Sequence, residues 1–323
     1  MSRENVDAIV LKTVDYSESS LIVDVFTREM GKVRGIAKGA RRLKNPFETS
    51  LDLLASIRLS FIRTNSDSLD IFTEAKLRRR FRPSSRNFRG LCAGYYAIEL
   101  LDLGVADYQA QPELWTLADS TLERFQYGGD VFARLTCFET CFLEALGVFP
   151  AVRHCADCGL ELPLERANEL SRRVFFDVDA GGVVCSRCRT KKTRYGLVET
   201  TIGALKIFAA SLEVSESVLK SARTLDNWRR SLEAEANGLS SIEKTERETR
   251  TREAFIVMDD EALEPLRAFP RDARNAYRNL ANLYISKVLQ RRPRSLGCLP
   301  FALSTPRSSA RREEATSDKI EVA

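Results

Sequence analysis

The sequence predicts an α+β protein: a small five-stranded barrel, then a mainly helical domain interrupted by paired cysteines. Three observations carry that reading. Residues 6–77 hold five short segments of β-branched or alternating apolar residues, each bounded by turn residues. Beyond Pro83 the apolar residues recur at helical spacing. Two C-x-x-C pairs, Cys155/Cys158 and Cys185/Cys188, break into the helical pattern and then let it resume.

In the barrel region, Val6–Lys12 and Ser20–Thr27 are β-branched and apolar, and Val33–Lys38 follows the turn residue Gly31. Ser56–Ile62 alternates, with Ile57, Leu59 and Phe61 on one face and Ser56, Arg58 and Ser60 on the other. Asn65-Ser66-Asp67-Ser68 is a turn cluster that leads into Leu69–Thr73. Strands that alternate with period two and leave basic side chains outside suit a small barrel. An OB-fold and an SH3-like barrel both meet the pattern.

The helical region opens with Phe88, Leu91, Cys92, Tyr95, Ile98 and Leu101 at helical spacing, and Gly104 offers a stop. A second helix is expected from Pro112 to Phe125, with proline at its first turn. A third covers Val131–Leu146 and carries Cys137 and Cys141, two small core residues that cannot complete a metal site. Thr201–Leu212 and Arg274–Gln290 are further helices. Between them the chain is charge-rich, and Glu243–Glu253 has no apolar member, which marks a solvated helix or a flexible insertion outside the core. The expected division is therefore a barrel domain over 1–80 and a helical domain over 81–300. The latter has a cysteine-bearing insert at 150–192 and a charged insertion at about 213–265. Residues 301–323, rich in Ser, Arg, Glu and Thr, read as a disordered tail.

Charge distribution says more than net charge. The 323 residues carry 50 Lys+Arg against 45 Asp+Glu, only +5 overall. From Arg28 to Arg63, however, there are nine basic residues and three acidic ones, and from Lys76 to Arg89 seven basic and none acidic. Such clustering suits a polyanion such as nucleic acid, and equally a solvated basic face. The candidate contacts are Lys32, Arg34, Lys38, Arg41, Arg42 and Lys44, with Arg78, Arg79 and Arg80 at the barrel exit. Phe47, inside the basic loop, has two readings, a base-stacking ring and a core residue. The N-terminus carries acidic residues early and lacks the apolar stretch of a secretory signal, and no stretch approaches the ~20 apolar residues of a membrane helix. A cytoplasmic protein is expected.

In that compartment the paired cysteines point to zinc before disulfides. Each C-x-x-C turn supplies two thiolates, and an intervening element must bring the turns together. The 26 residues between Cys158 and Cys185 contain one: Arg173–Asp179 reads as a strand, Gly181-Gly182 as a turn and Val183-Val184 as a return strand. Gly159 suits the positive φ of a knuckle. Four cysteines close the site, so the zinc is structural, and His154 beside Cys155 is only a possible substitute ligand. Because His154 is the only histidine, histidine-based triads have no candidate, and no G-x-x-x-x-G-K-[ST] phosphate loop occurs. No enzyme is expected. A zinc-ribbon protein that binds structured RNA is the alternative from another class.

Several motifs occur in an order that resembles the RecO family. They are Asp7–Lys12, Tyr16–Ser19, Val25–Lys32 and Ile36–Arg42, then Thr73-Glu74-Ala75. Gly147–Pro150 precedes Cys155-x-x-Cys158, Gly181–Val184 precedes Cys185-x-x-Cys188, and Arg294-Ser295-Leu296 resembles the family's closing element. The resemblance implies an OB-fold domain followed by a helical domain with a zinc knuckle. It also implies a recombination mediator that binds single-stranded DNA, anneals complementary strands and helps load RecA onto DNA coated by single-strand-binding protein. Its implied partners are RecR and the acidic C-terminal tail of single-strand-binding protein, and its implied place is the nucleoid. Two stretches depart from the family pattern: the segment after Lys44 lacks the usual Gln-Pro step, and 213–270 looks like an insertion.

Overall fold

The computed structural model describes residues 2–47, 49–64, 68–84, 86–164, 167–190, 195–235 and 241–299. The proposed tail over 301–323 and most of the turn cluster at 65–68 lie outside the described residues. Strands β1 (Ser2–Asp15), β2 (Leu21–Thr27), β3 (Gly31–Ala37), β4 (Ser56–Arg63) and β5 (Asp70–Arg79) close a barrel in the order β1-β2-β3-β5-β4. Strand β3 runs parallel to β5, and β1 closes the ring on β4. That topology is the OB arrangement and decides between the two barrels left open by pattern. Val10, Val25, Val33, Ile57, Leu59, Phe61 and Phe72 fill the interior. Gly35 is required where it stands, because a Cβ there would sit 2.2 Å from the Phe72 ring.

Alternation fails on β1 for a physical reason. All six residues from Val6 to Leu11 are buried. Val6, Ala8 and Val10 face the barrel, whereas Ile9 and Leu11, with Phe26 of β2, belong to the core of the helical domain. Strand β1 is also longer than expected because it serves two neighbours in turn, β4 with its first half and β2 with its second, across an irregularity near Leu11.

The helical domain contains α1 (Phe88–Gly104), α2 (Pro112–Tyr127), α3 (Val131–Ala145), the short α4 (Ser186–Arg189), α5 (Ile202–Glu235), α6 (Ser241–Arg267) and α7 (Arg271–Val288). A 3-10 helix, Arg294–Cys298, follows. Starts are encoded locally: Asn87 caps α1 through Gly90 N–H, Asp130 caps α3 through Ala133 N–H, and Pro112 opens α2. Trp115 of α2 donates its indole N–H to the Phe26 carbonyl at 3.1 Å, joining helices to barrel. Cys137 is fully buried and Cys141 packs against the same core, as their helical spacing implied.

The charged stretch at 213–265 divides. Helix α5 does not end near Leu212 but continues to Glu235, burying Val214, Val218, Ala222 and Leu225. The described side chains within 243–253 are mostly exposed, while the second half of α6 buries Phe255, Asp259, Leu263 and Leu266. Asp259 accepts from the buried Arg134 of α3, and Glu139 of α3 takes Arg278 of α7 at 2.5 and 2.7 Å. Paired charges therefore occupy core positions that periodicity assigns only to apolar residues. Among the described residues no helix is long and apolar enough to cross a membrane.

Candidate metal centre and nucleic-acid interface

The cysteine module is built on a three-stranded sheet, β7 (Gly182–Val184), β6 (Arg173–Asp177) and β8 (Leu197–Thr201). The β6–β7 hairpin forms at the expected residues, with Gly181 at φ +71°; β8 was not foreseen. The first knuckle bonds directly to β7. Ala156 N–H donates to the Val183 carbonyl, Ala151 N–H to the Gly181 carbonyl and Val183 N–H to the Ala151 carbonyl, each at 2.9 Å. Within the knuckle Gly159 adopts φ +68° and donates to the Cys155 carbonyl, the conformation its glycine was read to supply.

This framework gathers Cys155, Cys158, Cys185 and Cys188, whose sulfurs all lie within 4.8 Å of one another. Ligand sulfurs of a tetrahedral zinc with ~2.3 Å bonds are separated by ~3.8 Å. The Cys158 and Cys185 sulfurs are already 3.8 Å apart, and four gathered thiols are a donor set of the kind that holds such an ion. Burial opposes ionisation of Cys155, but the backbone N–H groups of Cys185 and Cys158 outweigh it and bring the thiol down to about 7. His154 is exposed and lies outside the cluster. Tyr284 of α7 welds the module to the helices: its ring meets Phe176 edge-on at 5.6 Å, and its hydroxyl donates to the Val148 carbonyl at 2.8 Å.

The nine cations singled out in sequence separate into two sets. Lys38, Arg41, Arg42 and Lys44 occupy the exposed loop after β3. Among the described residues Arg41 alone of these has an ion pair, with the exposed Asp15 at 3.2 Å, and its backbone N–H donates to the Ser19 carbonyl. The loop therefore rests on the β1–β2 turn, where Tyr16 is 61% exposed. Tyr16 is an aromatic candidate that strand patterning did not reveal, because only the folded turn sets it beside the cations. Phe47, by contrast, is 1% exposed and plugs the barrel core, so its ring is not available to a base.

The other five cations are committed to acidic partners. Arg34 grips Asp24 with two hydrogen bonds, at 2.5 and 2.8 Å. Lys32 donates to the Asp102 carbonyl at 2.8 Å and pairs with Asp107. Arg78 pairs with Asp7, and Arg80 pairs with Asp52 and donates to Thr49. Arg79 inserts between barrel and helices, bonded to Asp119 of α2 at 2.6 and 3.1 Å, with Arg229 of α5 on the same carboxylate. Of the nine, the loop set alone faces outward with little acidic compensation among the described residues.

The chain is thus of the class that fuses an OB-fold barrel to a helical body carrying a four-cysteine knuckle. Residues 1–81 match the family described as Recombination protein O N terminal, and residues 86–234 match Recombination protein O C terminal. The chain is similar to the DNA repair protein RecO of Rhodopirellula baltica, at 40% identity over 66% of this chain and 77% of the relative. It is also similar to the proteins of that name from Geobacter metallireducens, at 33% identity over 61% and 75%, and Myxococcus xanthus, at 31% over 58% and 73%. The chain belongs to the RecO family.

Proposed function

We propose that the protein acts in DNA repair as a recombination mediator, holding single-stranded DNA on the barrel through Lys38, Arg41, Arg42 and Lys44. The observation that carries this reading is the contrast in compensation: these loop cations face solvent, while Lys32, Arg34, Arg78, Arg79 and Arg80 are drawn onto carboxylates. In an OB-fold the strand 2–3 face and the first loop are the customary oligonucleotide surface, and the cationic loop lies beside both. Phosphates displace counterions from each cation, so about four contacts give a log–log salt slope near −3. Cations on an exposed loop read charge and not base edges, hence sequence preference is weak. Tyr16 offers a ring for stacking.

The mediator role includes annealing complementary strands and helping RecA replace single-strand-binding protein. RecR and the acidic tail of single-strand-binding protein are its partners, in the bacterial cytoplasm at the nucleoid. The chain binds and does not catalyse. Zinc held by the four cysteines is structural: a closed thiolate site leaves no position for water, and its binding contributes to folding. One zinc per chain is expected by atomic absorption, and Cys185→Ser should lose it.

The direct test is Arg41→Glu combined with Arg42→Glu. Affinity for oligo-dT at low salt should fall more than tenfold in fluorescence anisotropy, with the circular-dichroism spectrum unchanged. Unaltered affinity would remove the loop from the interface. A preference for RNA hairpins in competition would favour the zinc-ribbon alternative.

A further inference from the structure

The turn that follows α7 gathers three arginines under unusual constraint. Gln290 adopts φ +50°, and Arg291 N–H donates to the Ser286 carbonyl at 3.0 Å, closing the helix. Pro293, Leu296 and Leu299 are buried, which anchors the chain on both sides of Arg294. Arg291, Arg292 and Arg294 are exposed between these anchors, and the stretch 286–299 contains no acidic residue. The acid that faces the turn is Glu99 of α1. It accepts from the backbone N–H of Arg294 and of Ser295, each at 2.8 Å, and from the Ser295 hydroxyl. Glu99 thus satisfies the start of the 3-10 helix, and no ion pair of the three guanidiniums is recorded among the described residues.

We propose that Arg291, Arg292 and Arg294 form a second phosphate-backbone contact for single-stranded DNA, with Tyr95 as an adjoining stacking surface. The proposal rests on the single-stranded DNA reading above. Tyr95 is 41% exposed and lies one turn before Glu99 on the same helix. The apolar side chains of the turn are already buried, so the patch offers fixed charge without the pocket that would anchor a peptide. A polyanion is what such a surface recognises. Its position is compatible with one ligand spanning both sites. Lys32 of β3 reaches the Asp102 carbonyl near the end of α1, and Leu289 packs against Gly104 at that same end. The distance along β3 from Lys32 to the loop at Lys38 is about 20 Å. A strand must therefore outrun the loop site before it meets the arginines.

Length dependence tests this with the full chain. Oligo-dT of about 8 nucleotides fits within one OB-fold site, and one of about 40 extends well beyond it. The variant Arg291→Gln, Arg292→Gln, Arg294→Gln should bind the short oligonucleotide as the unaltered protein does. For the long one its salt slope should become shallower by about 2, from three contacts at about 0.7 each. An unchanged slope for the long oligonucleotide overturns the proposal. If Arg41→Glu with Arg42→Glu weakens both lengths in the same series, the loop reading still stands. An unaltered protein that ignores both oligonucleotides overturns the two together. Should the triple variant melt early, Arg292→Gln alone carries the decision, with a slope shallower by about 0.7. An acidic peptide that binds through these arginines, with the DNA slope unaffected, also overturns it.

Discussion

The loop Lys38–Lys44 and the strand exit Arg78–Arg80 are alike in composition and opposite in surroundings. The loop holds four cations in seven residues, and the exit holds three in a row. Around the loop the only acidic partner among the described residues is Asp15, itself 70% exposed. Around the exit stand Asp7, Asp119 and Glu123, buried carboxylates of β1 and α2. The loop cations stay largely uncompensated among the described residues, whereas Arg78 and Arg80 are tied to Asp7 and Asp52 within the barrel and Arg79 docks the barrel onto α2. A run of arginines is therefore evidence of a polyanion surface only after its carboxylates have been located, and those lie far away in sequence.

Breaking the docked cluster should have the larger effect. Arg79→Ala leaves Asp119 and Glu123 buried with one guanidinium fewer, and unfolding stability should drop by about 3 kcal/mol in urea denaturation. The loss should also be legible in pH. Burial opposes ionisation of Asp119, yet Arg79 and Arg229 outweigh it and hold this carboxyl well below the usual carboxylate range. A lowered folded-state pKa contributes stability that is complete above the unfolded value, ~3.9, and is lost as pH falls below it. The unaltered protein should thus weaken between about pH 4 and the acid limit, and Arg79→Ala should flatten that limb. If stability and acid response both stay the same, the exit arginines are not structural, and the contrast with the loop disappears.

The open cluster should respond in binding alone. Beside it, Tyr16→Ala is expected to cost 1 to 3 kcal/mol of oligonucleotide affinity, the scale of about one base stacked on an aromatic ring. Thermal stability should shift little, since the side chain is exposed. A wild-type affinity in anisotropy would leave the loop as a purely electrostatic contact.

Much of the architecture was readable because its signals are local. Five strands, the first three helices and the β6–β7 hairpin were marked by period, caps and turn glycines within a few residues of each element. The cysteine site was readable for the same reason, since two tight turns and a hairpin suffice to assemble it. What failed depended on distant surfaces. Helix α5 ran on past Leu212 because α2 and α6 pack against it, with Arg223 and Arg229 of its later turns bonded to Glu113 and Asp119 of α2, and acidic partners for Arg134 and Arg278 came from other helices. Strand β8 exists because β6 had an unpaired edge to receive it.

By itself the sequence determined a barrel, a helical domain, a four-thiol centre and an excess of basic side chains, because hydrophobic period and ligand spacing act over a turn or a hairpin. Tertiary structure alone decided which basic side chains remain available. Availability depends on whether a carboxylate more than a hundred residues away, such as Asp226 beside Arg28, has been folded into contact.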